Sequence, residues 1–433
     1  MRSKKTFPDF TFVKSLGGIF EYELKSNGLR VLHMRDKTAP VVAVNITYHV
    51  GSRNEAVGYT GSTHILEHLL FQGTKNFNKE NGKSIWNILE SVGAQINGTT
   101  WFDRTNYYEL VPKEDMDTAL SLEADRMRFA LLKKEYLDTE MTVVRNEFER
   151  GENSPREALE KALWASAFDA HPYHHPTIGW KSDIENITIE RLRQFYNTFY
   201  YPNNATLTII GDISSADALT KIKKHFGKLL KSKNPIPLVN TTEPIQEGGR
   251  RVIVKRAGEQ GIVSIAHKIP NGRHKDMASI QILDDVLSAG KGSRLRKALV
   301  DTGKATDVSV FSMPLYDDGL FITTVSLSLK TTHEEAEKII LKEYEKIKKK
   351  GITEIELKNA TVKNKAAIVY GRDGALSVAM TLNEFIAAGD WTLYPRWLSL
   401  IKSVTIKDVV RVANQYLVED KSTVGYFIPK RHG

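Results

Sequence analysis

Residues 64–73 read HILEHLLFQG, and residues 281–290 read QILDDVLSAG. The offset of 217 between them recurs. Thr188-Ile189 falls on Thr405-Ile406 at 217, and TVVRN at residues 142–146 falls on ATVKN at residues 360–364 at 218. Three stretches in register over so long a distance mark two copies of one fold. The copies share an apolar frame and differ in chemistry: His64, Glu67, His68 and Glu147 in the first stand opposite Gln281, Asp284, Asp285 and Lys365 in the second. Between the copies, KSKNPIPLVNTTEPIQEGGR at residues 231–250 breaks all periodicity with prolines and glycines, as an interdomain linker does. The chain is therefore expected to divide into a first domain at 1–232, a linker at 233–249 and a homologous domain at 250–433.

Around the first motif the pattern alternates between strands and helices. Residues 21–48 alternate apolar and polar side chains, with turns at Ser26-Asn27-Gly28 and before Pro40, which predicts a strand pair or meander. Ser62-Thr63 is placed to cap a helix carrying His64 to Phe71, and Ile85, Ile88, Leu89 and Val92 form the core stripe of the next helix. Residues 93–111 read as strands with a polar interruption at Asn97-Gly98-Thr99-Thr100. Helices are predicted at about 114–129 and 136–150, and a strand at 205–210.

A chain of 433 residues exceeds one ordinary core, and 41% hydrophobic with 26% charged residues is a globular composition. The net charge of +9 is spread along the sequence with no nucleic-acid-binding motif beside it, so no nucleic-acid partner is expected. There are no cysteines, which excludes disulfides, thiolate metal sites and a cysteine nucleophile. No apolar run has the length of a membrane span, and the basic residues at 1–10 are followed by no apolar signal core. As written the sequence reads as cytoplasmic; with a secretion signal already removed it would read as periplasmic.

On a helix, positions four apart share a face, so His64 and His68 can aim two imidazoles at one point, with Glu67 beside them. A hydrolytic zinc site takes three protein ligands and leaves a position open to water. Glu147, on a later helix, completes a two-histidine, one-carboxylate set, and its counterpart Lys365 loses the charge just where the histidines are lost. Glu67 is then the general base. Glu140 lies seven residues before Glu147, nearly two turns, on the same face. One Zn2+ per chain is expected.

The order His64-x-x-Glu67-His68, followed by Leu69 to Thr74, resembles the inverted zinc motif of the pitrilysin/insulinase-like metallopeptidases, the inverzincins. The resemblance extends over His49 to Asn54, Asn97 to Thr100, Asp103-x-Thr105-x-Tyr107, Glu140, Glu147 and Tyr201-Pro202-x-Asn204. It implies an α+β fold of two homologous domains, each a mostly antiparallel sheet with helices packed on one face, together forming half of a clamshell. It also implies zinc on His64, His68 and Glu147, Glu67 as base, and Glu140 as a carboxylate orienting a ligand. Asn97, Gly98 and Thr99 would belong to an edge strand along which an extended peptide pairs backbone to backbone. Phe71 is open to two readings, a specificity pocket or core packing.

Chain length places the sequence with the short members that build the chamber from two chains, such as mitochondrial processing peptidase and its bacterial relatives. Active members grip substrate with an Arg and a Tyr following a Ser-Arg-Leu opening. Here Ser293-Arg294-Leu295 is followed by Val300 at the arginine position and Asp307 at the tyrosine position; Arg296 and Tyr316 are nearby at the wrong spacings. The resemblance thus implies a zinc endopeptidase subunit acting on peptides or unfolded segments, with a homologous partner that lacks the zinc motif and supplies the grip. The alternatives are a non-catalytic subunit of a larger complex and a homodimeric peptidase. His171, His174 and His175 are expected in a surface loop without a carboxylate partner, and residues 290–293 in a turn.

Overall fold

The computed structural model describes residues 7–430. The chain opens with strands β1 (Phe10–Leu16), β2 (Ile19–Leu24), β3 (Arg30–Arg35) and β4 (Val41–Tyr48), then helices α1 (Ser62–Leu69) and α2 (Ile85–Ser91). Strands β5 (Gln95–Thr100) and β6 (Thr105–Pro112) precede α3 (Met116–Phe129), α4 (Lys134–Asn153), α5 (Pro155–Ala167), α6 (Lys181–Asn186) and α7 (Ile189–Phe199). Strand β7 (Ala205–Gly211) and helix α8 (Ser215–Phe226) close the first half. The second half runs β8 (Arg250–Ala257), β9 (Ile262–Ile269), α9 (Met277–Ser288), β10 (Ala305–Ser312), β11 (Gly319–Leu327) and α10 (His333–Lys350). It ends with α11 (Glu354–Tyr370), α12 (Ala375–Ala387), α13 (Leu393–Ser403), α14 (Ile406–Tyr416) and β12 (Ser422–Lys430).

The strands form two sheets, of order β1-β2-β3-β7-β4-β6-β5 and β10-β11-β9-β12-β8. Without β1 and β2, the first order is the second read backwards under the repeat. Each sheet is antiparallel apart from one parallel pair, β3 with β7 and β12 with β8. This is the α+β repeat that the constant offset predicts. Residues between Phe226 and Arg250 hold no helix or strand. The segment is nevertheless fastened: Glu243 accepts the N–H groups of Asp169, Ala170 and His171 at 2.9–3.0 Å and an ion pair from Lys268 at 2.6 Å.

Compactness does not follow the sequence halves. One unit takes the chain up to Asn146 with Thr177–Asn240 and Gly371–Ala387; the other takes Glu147–Pro176, Thr241–Tyr370 and the chain from Ala388 onward. The division passes within the continuous helix α4. Two helices change sides: α12, from the second half, packs on β4 and β7, and α5, from the first, packs on β8, β9 and β12.

In the first unit the strand period of two sorts β4 cleanly. Val42, Val44, Ile46 and Tyr48 are buried on the face that meets α3. Asn45 and Thr47 face the other way, where Asn383 of α12 accepts from Thr47 Oγ1 at 2.6 Å and donates to Asn106 Oδ1 at 3.3 Å. Beneath β6 lies a fully buried ionic trio: Arg126 pairs with Glu123 and with Glu109 at 3.5 Å, and its guanidinium lies 4.6 Å from the Tyr107 ring and 4.9 Å from that of Phe71.

In the second unit Val263, Ile265, Val424 and Tyr426 join α9, α10 and α14 in one core, while Phe427 and Ile262 meet Leu159 of α5 on the opposite face. Among the described residues, no helix is long and apolar enough to cross a membrane.

Candidate metal centre and active site

Helix α1 starts at Ser62, directly after a reversal that only glycine makes cheaply: Gly61, its N-cap, has φ +87°. Ser62 and Thr63 therefore lie inside the helix, not at its cap as the sequence suggests. The cap comes from outside. Glu55, 8% exposed, accepts the N–H groups of Gly61 and Thr63 at 2.8 and 2.6 Å. Burial pushes this carboxyl up to about 8, against the hydrogen bonds from Thr63 and Gly61.

One turn into α1, the His64 and His68 rings stand 4.8 Å apart at 74°. Helix α4 buries Leu137, Met141 and Val144, which fixes its rotation and turns Glu140 and Glu147 toward α1. One ligand atom each from His64, His68 and Glu147 can be chosen so that all lie within 4.8 Å of one another, and among the described residues this is the group of at least three such side chains that could hold a metal ion. Burial, and the His68 ring after it, push His64 down to about 3, so the imidazole is neutral and keeps a lone pair for a cation. His68 Nδ1 lies 3.0 Å from Glu140 Oε2, and Gln72 donates to Glu140 Oε1 at 2.6 Å. A carboxylate on Nδ1 selects the tautomer that carries its ring lone pair on Nε2. The donor set, its neutral imidazole and its buttressing carboxylate fit a zinc ion.

Glu67 faces strand β5. Its Oε2 accepts the Thr100 hydroxyl at 2.7 Å, and a Cβ built on Gly98 would fall 3.1 Å from its Oε1 and 3.0 Å from Phe71 Cε2. A side chain at position 98 would force Glu67 or Phe71 to give way by a few tenths of an ångström. Among the described residues, strand β5 is the edge of its sheet and pairs with β6 alone, so there its outer rim can receive a further strand. Asn97 is exposed on that rim. Thr99 turns to the other face, where it donates to Asn106 Oδ1 and accepts from Arg104 Nη1, both at 2.6 Å. Phe71 is half-buried, stacked on Trp86 at 5.3 Å, so it packs and borders β5 at once.

Thr100, Gln72 and Glu55 are the residues that sequence reading passes over. Thr100 and Gln72 act through carboxylates far along the chain, Glu67 and Glu140, and Glu55 acts from a loop on the backbone of the helix that follows it; only the conspicuous Asn-Gly-Thr-Thr break hints at Thr100.

The corresponding place in the second half has no such set. Asp285 accepts from Asn364, and Asp284 accepts from Ser312 at 3.3 Å with burial pushing its carboxyl up to about 8. Val300 packs against the second core and Asp307 is exposed 3.9 Å from Arg156. The Tyr316 ring lies under Arg273, 4.3 Å from its guanidinium carbon. One expectation is overturned: His171 and His175 are only 3% exposed, and His171 Nε2 meets a carboxylate, Asp317 Oδ2, at 3.1 Å. Gly290, at φ +85°, and the Ser293 hydroxyl on its carbonyl make the expected turn.

Residues 30–181 match the family described as Insulinase (Peptidase family M16), and residues 186–361 match the Peptidase M16 inactive domain. The second match contains the helix on which Gln281, Asp284 and Asp285 replace the metal-site residues. The chain is 31% identical to the zinc protease PqqE of Helicobacter pylori, over 93% of this chain and 91% of that protein. A crystal structure of a protease from Helicobacter pylori superposes with a TM-score of 0.90 at 31% identity, covering 94% of this chain and 99% of the other. The periplasmic protease PqqL of Escherichia coli shares the fold at TM-score 0.79 and 18% identity, over 97% of this chain and 48% of PqqL. By two family matches that follow one another along the chain and by likeness to a zinc protease along nearly its whole length, the chain belongs to the insulinase (M16) family of peptidases.

Proposed function

We propose that the chain is the zinc-bearing subunit of an endopeptidase that cleaves peptides or unfolded polypeptide segments. The observation that carries this reading is the convergence of His64, His68 and Glu147 beside a base, Glu67, that abuts an open edge strand. Zinc held by those three residues would polarise the scissile carbonyl and make a bound water acidic.

The chain's own groups do the rest. An extended peptide adds to the rim of β5, where main-chain pairing makes recognition tolerant of sequence. Glu67, held at Oε2 by Thr100, takes the proton of the attacking water and returns it to the leaving amine. Glu140, held by Gln72, fixes the His68 ring.

A homologous partner without the zinc motif supplies the Arg and Tyr missing at Val300 and Asp307. PqqL, about twice as long as this chain, is a case in which more than one such length occurs in a single polypeptide. The runner-up, a non-catalytic subunit, draws on the same two absent residues.

Metal analysis combined with an assay of an unstructured peptide, with and without the candidate partner, separates the readings. The proposal expects about one zinc per chain and cleavage that depends on the partner. Full activity from the isolated chain would remove the partner from the proposal, and a protein that takes up no zinc under any condition would be the scaffold.

A further inference from the structure

The N-terminus of α1 is moored with unusual thoroughness. An eight-residue helix is too short to be stable by itself, and α1 carries both histidines and Glu67. Its cap residue is a glycine with no side chain to offer, so the first N–H groups need an acceptor from elsewhere. Glu55 supplies two, one oxygen to Gly61 and the other to Thr63.

The loop that carries Glu55 is itself fixed to the end of the edge strand. Ser52 and Arg53 donate their N–H groups to Trp101 O and Phe102 O at 3.1 and 3.0 Å, and a Cβ on Gly51 would collide with those same carbonyls at 2.3 Å. Trp101 follows directly on Thr100, which holds Glu67.

A second mooring lies one residue upstream of the cap. Asp183 of α6 accepts from the N–H and hydroxyl of Thr60 at 3.0 and 2.8 Å, and Thr60 Oγ1 accepts the Trp180 N–H at 2.8 Å. Gly61 and Gly179 pack so tightly that a Cβ on either would lie 2.5 Å from a carbonyl of the opposing segment. In the second half, where the metal set is absent, Asp276 at the start of α9 spends its carboxylate on Arg411 and Tyr416 instead.

We infer that Glu55 is a positioning residue for the proposed site: it ties the helix bearing His64, Glu67 and His68 to the strand end bearing Thr100, and so sets how far the base stands from a peptide on β5. This rests on the proposed function for its catalytic consequence, but not for its effect on the helix.

The test compares the unsubstituted protein with E55Q, which keeps the shape and presents an N–H2 to two N–H donors, and with E55D, which keeps the carboxyl on a shorter arm. Three quantities are read: zinc affinity by competition with a chromogenic chelator, amide hydrogen exchange over residues 58–70 in the zinc-free protein, and kcat and KM with the partner present. E55Q is expected to lose about 10- to 100-fold in zinc affinity, to exchange faster over α1 alone, and to lose kcat with KM little changed, with E55D in between.

If E55Q does not fold, D183N, which loosens the second mooring, is read in the same way. Unchanged zinc affinity and exchange in a folded E55Q would overturn the inference. So would a general fall in Tm with zinc affinity intact, which is what a merely structural role predicts. Failure of the proposed function is distinguishable, because then the unsubstituted protein itself neither holds zinc nor cleaves peptide, while the exchange comparison still decides whether Glu55 moors α1.

Discussion

Gly98 and Glu67 are in contact across the gap between an edge strand and the helix that faces it: a single added carbon on Gly98 would stand 3.1 Å from Glu67 Oε1. The same carbon would meet Phe71 at 3.0 Å, and Phe71 is wedged between Trp86 and Arg126, so it cannot retreat freely. We expect G98A to lower peptide cleavage roughly 10-fold or more through misplacement of the base. Zinc content should be unaltered. Steady-state kinetics beside metal analysis checks this; full activity in G98A would mean the strand has room that the contact distances deny.

The roles of the two acidic side chains separate by substitution. E147Q removes a charged donor from the group formed with His64 and His68, so zinc should fall from about one per chain to nearly none after dialysis. E67Q should retain zinc and lose roughly 100- to 10,000-fold in kcat, the usual worth of a general base. Finding the reverse pattern, zinc lost in E67Q and kept in E147Q, would exchange the assignments.

Arg126 is buried against two carboxylates, and burial, with the Glu123 charge second, holds the Glu109 carboxyl well above the usual carboxylate range. Arg126 answers the negative charge that Glu109 and Glu123 hold between them. R126M leaves that charge without its partner and should cost about 3–5 kcal/mol. Adding E123Q should restore much of it. Urea unfolding of the single and double variants measures both terms, and equal losses in the two would show that packing of the guanidinium, not charge, is what matters.

The second unit carries a built-in acid sensitivity. His267 on β9 is 1% exposed against the Tyr344 ring, and burial first, the Lys348 charge second, push it down to about 3 from an ordinary value of 6.5. Below pH 6.5 the unfolded chain takes up a proton that the folded one refuses, so stability declines as pH falls from 6.5 toward 3. H267L should flatten that part of the Tm-against-pH curve while leaving Tm at pH 8 little changed. Parallel curves for the two proteins would place the acid sensitivity elsewhere.

What the sequence discloses of this fold is what adjacent residues encode. The doubled motif at residues 64 and 281 announces the repeat, and i, i+4 histidines and a heptad-spaced carboxylate pair mark candidate ligands because helix geometry puts each pair on one face, whereas the meeting of α1 with α4 is left to packing. Glu55 was silent, since a capping carboxylate that arrives from a loop leaves no periodic trace. His171 was misread for the same reason: its carboxylate partner, Asp317, is 146 residues away. The destination of α12 was invisible too, because its apolar stripe says that it packs and not on which sheet.

That last helix bears on how the polypeptide is made. The β4 and β7 surface awaiting α12 is lined by Asn45, Thr47, Thr206 and Thr208, all fully buried once the helix arrives, and Asn383 arrives with it. A ribosome finishes this surface more than a hundred residues before it delivers the cover, and side chains of this kind can wait in water without becoming adhesive. The reciprocal helix, α5, precedes its apolar seat beside Ile262 and Phe427, so there the cover is ready before the greasier surface emerges. Synthesis from N to C terminus thus meets a polar vacancy first and an apolar one only when its occupant already exists.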